Sequence, residues 1–213
     1  MSSPVITVDE LAGWLRRFRD LVIKNQAELT ELDSAIGDAD HGINMARGMT
    51  AVTDKLEGHP AAHINDLFKT AAMTLVTSVG GASGPLYGTF FLRFAGSVGP
   101  ATELDIEALA MALDAGLTGI MERGKAELAD KTMVDALSPA VDAMEAVIKS
   151  GDDLAVAVTA ARDAAAAGRD ATVPMVARKG RASYLGERSA GHMDPGAASM
   201  SLLFDALAEE LAG

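Results

Sequence analysis

Thr7-Val8-Asp9-Glu10-Leu11-Ala12-Gly13-Trp14-Leu15-Arg16-Arg17-Phe18-Arg19-Asp20-Leu21-Val22 is the stretch from which the fold class is read. Thr7 and Glu10 have the spacing of a capping box, in which two residues satisfy free N–H groups at a helix start. Leu11, Trp14, Leu15, Phe18, Leu21 and Val22 then recur at intervals of three and four, the buried stripe of an amphipathic helix. Ala, Leu, Met and Glu dominate downstream and period-2 runs are scarce, so the same pattern continues. Further helices are predicted from about Gly42 to Leu56, Ile64 to Ser78, Pro85 to Gly96, Ile106 to Arg123, Met133 to Ile148 and Leu154 to Ala167. A last one starts after Asp194-Pro195, a cap followed by a first-turn proline, and ends near Leu211. The expectation is an all-α chain of about eight helices, forming a single domain over residues 1–213.

The connections alternate in character. Glu57-Gly58-His59-Pro60, Ser97-Val98-Gly99-Pro100 and Lys149-Ser150-Gly151-Asp152 are ordinary turn chemistry. The connections after helices one, three, five and seven are dense in Asp, Gly, Ser, Lys and Arg. Short connections favour antiparallel neighbours, so every second loop lies at the same end. The alternation predicts an up-and-down bundle with one chemically active end.

Composition narrows the function. The 213 residues include 18 Lys+Arg and 30 Asp+Glu, for a formal charge of −12, and no cysteine. Disulfides, thiol catalysis and thiolate metal sites are excluded. So acidic a chain argues against general nucleic-acid binding, which needs a basic face. Met1-Ser2-Ser3-Pro4 has neither the charged nor the apolar region of a leader. Thr70 to Leu92 is free of charge, but Gly80, Gly81, Gly84 and Pro85 interrupt it, which reads as two helices and a turn rather than a membrane span. A cytoplasmic enzyme or binding protein is expected.

The first loaded loop, Leu32 to Met45, places Asp33, Asp38 and Asp40 within eight positions, with Gly37 and Gly42 beside them. Crowded carboxylates repel unless a cation neutralises them. Mg²⁺ does so with a few carboxylates and leaves coordination sites for phosphate and water. The alternative is that each aspartate is a turn former or helix cap. His41 and Asn44 fall at a helix start, where free N–H groups attract anions. The second loop, Ser78 to Gly88, is glycine-rich and runs into a helix N-terminus. It can cradle phosphate or simply allow close packing. In the third, Arg123 to Met133, Gly124 is a candidate left-handed cap, and Met133 can lie against a flat purine or fill the core. The fourth, Pro174 to Asp194, has the length of a functional lid and gathers Arg178, Lys179, Arg181 and Arg188. Such a basic cluster fits phosphates, or else is a solvated loop or a docking patch for an acidic partner. His59 and His63 fall at the plain end as surface residues.

These loops carry a resemblance. Gly37-Asp38-Ala39-Asp40-His41-Gly42-Ile43-Asn44-Met45, Gly80-Gly81-Ala82-Ser83-Gly84-Pro85-Leu86-Tyr87-Gly88 and Asp130-Lys131-Thr132-Met133 resemble motifs of the ADP-binding L subunits of bacterial dihydroxyacetone kinases. Ala177-Arg178-Lys179-Gly180-Arg181-Ala182-Ser183-Tyr184-Leu185-Gly186-Glu187-Arg188-Ser189 and Gly191-His192-Met193-Asp194-Pro195-Gly196-Ala197 complete the set. The resemblance spans essentially the whole chain, with no departure at a motif position.

It implies a closed barrel of eight antiparallel helices with the nucleotide at one rim. It also implies two Mg²⁺ held by Asp33, Asp38 and Asp40. The nucleotide contacts it implies are His41, Gly42, Ile43, Asn44, Ala82, Ser83, Gly124, Met133, Arg181, Asp194, Pro195 and Gly196, with Arg181 stabilising phosphate charge and no covalent nucleophile. In the family, a K subunit holds dihydroxyacetone and a phosphohistidine M subunit, fed from phosphoenolpyruvate by the phosphotransferase system, recharges ADP in place to ATP. A homodimer or a complex with a K dimer is expected. Alternatives are an ATP-exchanging subunit of a related ketose or fatty-acid kinase, and a module that signals to a transcriptional regulator.

Overall fold

A computed structural model describes residues 5–213, so Met1–Pro4, on which the leader expectation rests, lie outside the described residues. The described chain is mostly helical. Its α-helices are α1 (Val8–Lys24), α2 (Gln26–Ile36), α3 (His41–Gly58), α4 (Ile64–Ser78), α5 (Ser83–Val98), α6 (Ile106–Gly124), α7 (Val134–Ser150), α8 (Leu154–Ala171) and α9 (Pro195–Leu211). A 3₁₀ segment, Arg181–Ser189, kinks at Gly186. Strands β1 (Ile6–Thr7) and β2 (Glu103–Leu104) pair antiparallel.

The capping box forms as its spacing predicts. Glu10 Oε2 accepts from the Thr7 N–H at 2.7 Å, and Thr7 Oγ1 accepts from the Glu10 N–H at 3.3 Å. Asp105, Asp153 and Asp194 cap α6, α8 and α9 through their side chains. Two local features go beyond or against expectation. The first helix stops at Asn25 (φ −100°, ψ 13°), and a helix outside the expected set, α2, begins at once. Asn25 Nδ2 donates to the Leu21 carbonyl, so a side chain satisfies the end of α1. The left-handed residue after α6 is Lys125 (φ 50°), not Gly124, which stays helical. The reversal one residue later sends Ala126 into the core.

Each helix from α3 to α8 packs on its successor, α9 packs on α1, and α1 packs on α3. α2 lies outside this series, against α3 and the 3₁₀ segment. The stripe of α1 faces inward: Leu11, Trp14, Leu15, Phe18 and Val22 are buried. Trp14 meets Phe68 edge-on at 5.8 Å and Phe91 at 6.4 Å, and its indole N–H donates to the Leu203 carbonyl at 2.8 Å. One aromatic cluster thus ties α1, α4, α5 and α9. Among the described residues no helix is long and apolar enough to cross a membrane; the uncharged run from Thr70 to Leu92 divides between α4 and α5.

Candidate functional site

All four loaded connections meet at one cavity of about 360 Å³. The last turn of α2 and the following loop contribute Asp33, Asp38 and Asp40; the glycine-rich turn contributes Gly80 to Ser83; the third loop contributes Gly124 and Met133; the fourth contributes Lys179 to Ala182 and Asp194 to Gly196. The volume falls in the range of small-molecule sites. Its lining includes the apolar side chains of Leu86, Ile120 and Met133 as well as the aspartates.

The acidic corner is built by backbone geometry. Asp33 sits on α2 rather than in the loop, nearly buried, and its Oδ2 accepts from the N–H of Asp40 at 2.8 Å and of His41 at 3.1 Å. These two bonds fold the loop back over Asp33. Gly37 allows it, because a Cβ there would lie 2.0 Å from Asp33 Oδ1. Ala39 takes a left-handed φ of 63° between the other two aspartates. One carboxylate oxygen from each of Asp33, Asp38 and Asp40 then lies within 4.8 Å of the others. Asp40 caps α3 without a side-chain bond, so its carboxylate is not consumed by the helix. Hard oxygen donors so grouped fit a divalent cation such as Mg²⁺. Arg181, from the far side of the mouth, places its guanidinium 2.8 Å from Asp38 Oδ2.

Three helix N-termini are locked together beneath this corner. The Nε2 of His41 lies 2.9 Å from Ser199 Oγ, and its Nδ1 lies 3.1 Å from Ser83 Oγ. Tyr87 OH reaches Ser199 at 2.9 Å, and Ser199 donates to the Gly196 carbonyl at 3.1 Å. Burial holds the His41 ring down at about 4, against the pull of Asp33 and Asp40, so the imidazole is neutral. A consistent proton assignment has Nε2–H and Tyr87 donating to Ser199, and Ser83 donating to Nδ1. α3, α5 and α9 therefore present their starts to one space, a favourable setting for anions. At the head of α9, burial pushes the Asp194 carboxyl up to about 7, despite the 2.7 Å bond from the Ala197 N–H.

Most of the sequence-derived site residues line the cavity: the three aspartates, His41, Asn44, Ala82, Ser83, Gly124, Met133, Arg181, Asp194, Pro195 and Gly196. Gly42 and Ile43 do not. A Cβ on Gly42 would lie 2.1 Å from the Gln26 carbonyl, so this glycine lets α3 rest on α2, and Ile43 is an exposed side chain. In the glycine-rich turn both readings have residues to carry them. Gly84 packs tightly on the Val79 carbonyl, while Gly80 and Gly81 face the cavity. His63 is half-exposed and lies 3.5 Å from Asp66.

Residues 35–209 match the family model of the DAK2 domain. The chain belongs to the DAK2-domain family. The DAK2 match begins at Ala35 and takes in most of the cavity wall. Over 194 residues, 91% of this chain and 92% of the relative, it is 46% identical to the ADP-binding subunit DhaL of PEP-dependent dihydroxyacetone kinase 1 from Listeria innocua. It is 44% identical to the corresponding Escherichia coli subunit over 93% of this chain and 95% of that one. The PTS-dependent subunit of Lactococcus lactis is 44% identical over 98% of this chain and all of the relative. Among solved structures, the dihydroxyacetone kinase of C. freundii in complex with AMP-PNP and Mg²⁺ superposes with a TM-score of 0.72 at 29% identity. That match covers 98% of this chain, which spans 35% of the C. freundii chain.

Several residues that shape the DAK2 cavity show no role in the sequence alone. Buried Asp135 accepts from the N–H groups of Ala129 and, at 2.8 Å, Thr132, and so folds the third loop. Tyr87 and Ser199 were hidden in apolar stripes. Tyr87 lies one turn after Ser83, and Ser199 one turn after Pro195, so each shares the face of a site residue.

Proposed function

We propose that this chain is the ADP-binding phosphotransfer subunit of a PTS-dependent dihydroxyacetone kinase. It passes a phosphoryl group from the phosphohistidine of an M subunit to dihydroxyacetone held on a K subunit, giving dihydroxyacetone phosphate. The observation that carries this reading is the gathering of Asp33, Asp38 and Asp40 opposite Arg181, at the mouth of a cavity framed by three helix N-termini. Relatives that this chain covers almost end to end bear the name of ADP-binding subunit. The active form is an assembly in the cytoplasm, with a K dimer or as a homodimer. We read residues 1–213 as a single nucleotide-binding domain and its helices as a closed up-and-down barrel, a reading supported by the packing series from α1 through α3 to α9 and back.

Asp33, Asp38 and Asp40 would hold two Mg²⁺, which would supply charge neutralisation and Lewis acidity at the phosphates. The chain's own groups do the positioning. Backbone N–H groups at Ala82, Ser83 and Gly196 hold the phosphates, the starts of α3 and α9 orient them, and the Arg181 guanidinium stabilises charge on the transferring group. Gly124 and Met133 border the space for the base. No side chain here serves as a covalent nucleophile.

The test is reconstitution. With K and M subunits, phosphoenolpyruvate and the phosphotransferase enzymes, dihydroxyacetone phosphate forms, and omission of this chain abolishes it. Sugar phosphorylation by this chain with ATP alone would overturn the reading in favour of a self-sufficient ketose kinase. Transfer in the assembly would make any signalling to a transcriptional regulator an added role.

A further inference from the structure

Lys131 is 1% exposed, yet it belongs to a loop at the cavity. Its backbone is left-handed (φ 63°), as is that of Ala129 (φ 69°), so the chain turns sharply to send this side chain inward. Lys131 Nζ donates to the carbonyls of Thr172 at 2.6 Å and Met175 at 3.1 Å, reaches that of Val173 at 3.4 Å, and also donates to that of His192. An ammonium has three protons. Four carbonyls occupy them, and none is left to reach a phosphate.

The four acceptors come from two places. Thr172, Val173 and Met175 lie where the long basic segment leaves the body, and His192 lies where it returns. Two more bonds close the same base: the Gly191 N–H donates to the Val173 carbonyl at 2.7 Å, and the Asp194 N–H to Thr172 Oγ1 at 3.0 Å. Beyond the base the segment forms a wall of the cavity through Lys179 to Ala182, and its tip is open to solvent, with Tyr184 88% exposed. It is otherwise attached by the Arg178 N–H to the Asp130 carbonyl, by Arg181 to Asp38, and by Ala177 and Ala182 against Ile36.

We propose that Lys131 is a positioning residue whose ammonium clips the two ends of the 173–191 segment together and thereby slows the release of bound nucleotide. Freeing the base would leave a buried ammonium and several carbonyls unpaired, which is costly away from water. The flap therefore moves beyond its base and not at it. The effect on release rests on the nucleotide-binding function proposed above; the clip itself does not.

The experiment compares the full-length chain with Lys131→Met and Lys131→Gln by amide hydrogen exchange without nucleotide, and by stopped-flow chase of a fluorescent ADP in excess Mg²⁺. In the wild type, the Gly191 and Asp194 amides exchange as slowly as helix interiors. In Lys131→Met, exchange across 173–191 rises about 100-fold while α1 and α5 keep their protection, and ADP leaves at least about tenfold faster. Lys131→Gln, with a shorter donor, falls between. Unchanged exchange at 173–191 overturns the clip, and faster exchange with unchanged ADP release overturns its effect on the nucleotide. If Lys131→Met does not fold, the wild-type amides decide: fast exchange at Gly191 and Asp194 contradicts the clip, and slow exchange supports it. A wild type that binds no ADP defeats the proposed function, while exchange still judges the clip.

Discussion

The Arg181 guanidinium lies 2.8 Å from the Asp38 carboxylate, although 143 positions separate them in the chain. Asp38 follows α2 and Arg181 opens the 3₁₀ segment of the flap. Their contact bridges the acidic corner and the basic wall. Both side chains are substantially solvated, so the pair itself contributes little to folding.

Arg181→Ala is therefore expected to change unfolding stability by no more than about 0.5 kcal/mol. Its effect falls on the ligand. The affinity for ADP with Mg²⁺, measured by calorimetry, drops about tenfold, the loss of one charge-assisted contact to phosphate. Unchanged affinity would remove Arg181 from the phosphate site.

Gly42→Ala tests how the acidic corner is supported. The new methyl meets the Gln26 carbonyl and Thr30 Oγ1, so α3 must shift from α2. The expected cost is about 1–3 kcal/mol in urea unfolding. Because α2 carries Asp33 and the α3 cap carries Asp40, Mg²⁺·ADP affinity falls as well. A stable variant with weak ADP binding would instead mean that Gly42 touches the nucleotide directly.

Asp194 gives a pH signature. Its carboxyl titrates at about 7 in the folded chain and near 3.8 when unfolded, because it is buried. Between these values the folded state holds a proton that the unfolded state has lost. The associated stability is full below about pH 4 and is lost as the pH rises through 7. Asp194→Asn keeps an equally good cap and removes the titration. In ligand-free urea unfolding, the variant gains on the wild type between pH 4.5 and 7.5 by on the order of 2–4 kcal/mol. Neutral burial of His41 acts in the opposite sense between its unfolded value of 6.5 and about 4, but in both proteins, and drops out of the difference. A difference that does not vary with pH would refute the raised titration of Asp194.

Much of this architecture was legible in the chain. Amphipathic spacing and caps located the helices, and Ile64–Ser78 matches its expected span. The alternation of plain and loaded connections predicted which segments would share an end, and Asp38 and Arg181 do so. What escaped was stabilised by tertiary partners. No local pattern marks Asn25 as a break, because its side chain ends α1 inside an otherwise helical run. Asp33 reads as a loop residue until two N–H groups from the next turn are seen to converge on it. Lys131 looks like a surface charge until carbonyls 41 to 61 positions later surround it. The pairing of β1 with β2 joins two-residue strands almost a hundred positions apart, too short to leave a periodicity.

The most direct measurement is titration of the chain with ADP by isothermal calorimetry in excess Mg²⁺ and again in EDTA, for wild type and Asp38→Asn. One ADP per chain is expected in Mg²⁺, with affinity falling at least about 100-fold on chelation or in the variant, a change of about 2.7 kcal/mol. Equal affinity in EDTA, or full affinity in Asp38→Asn, would contradict a site in which these carboxylates hold the cation that holds the nucleotide.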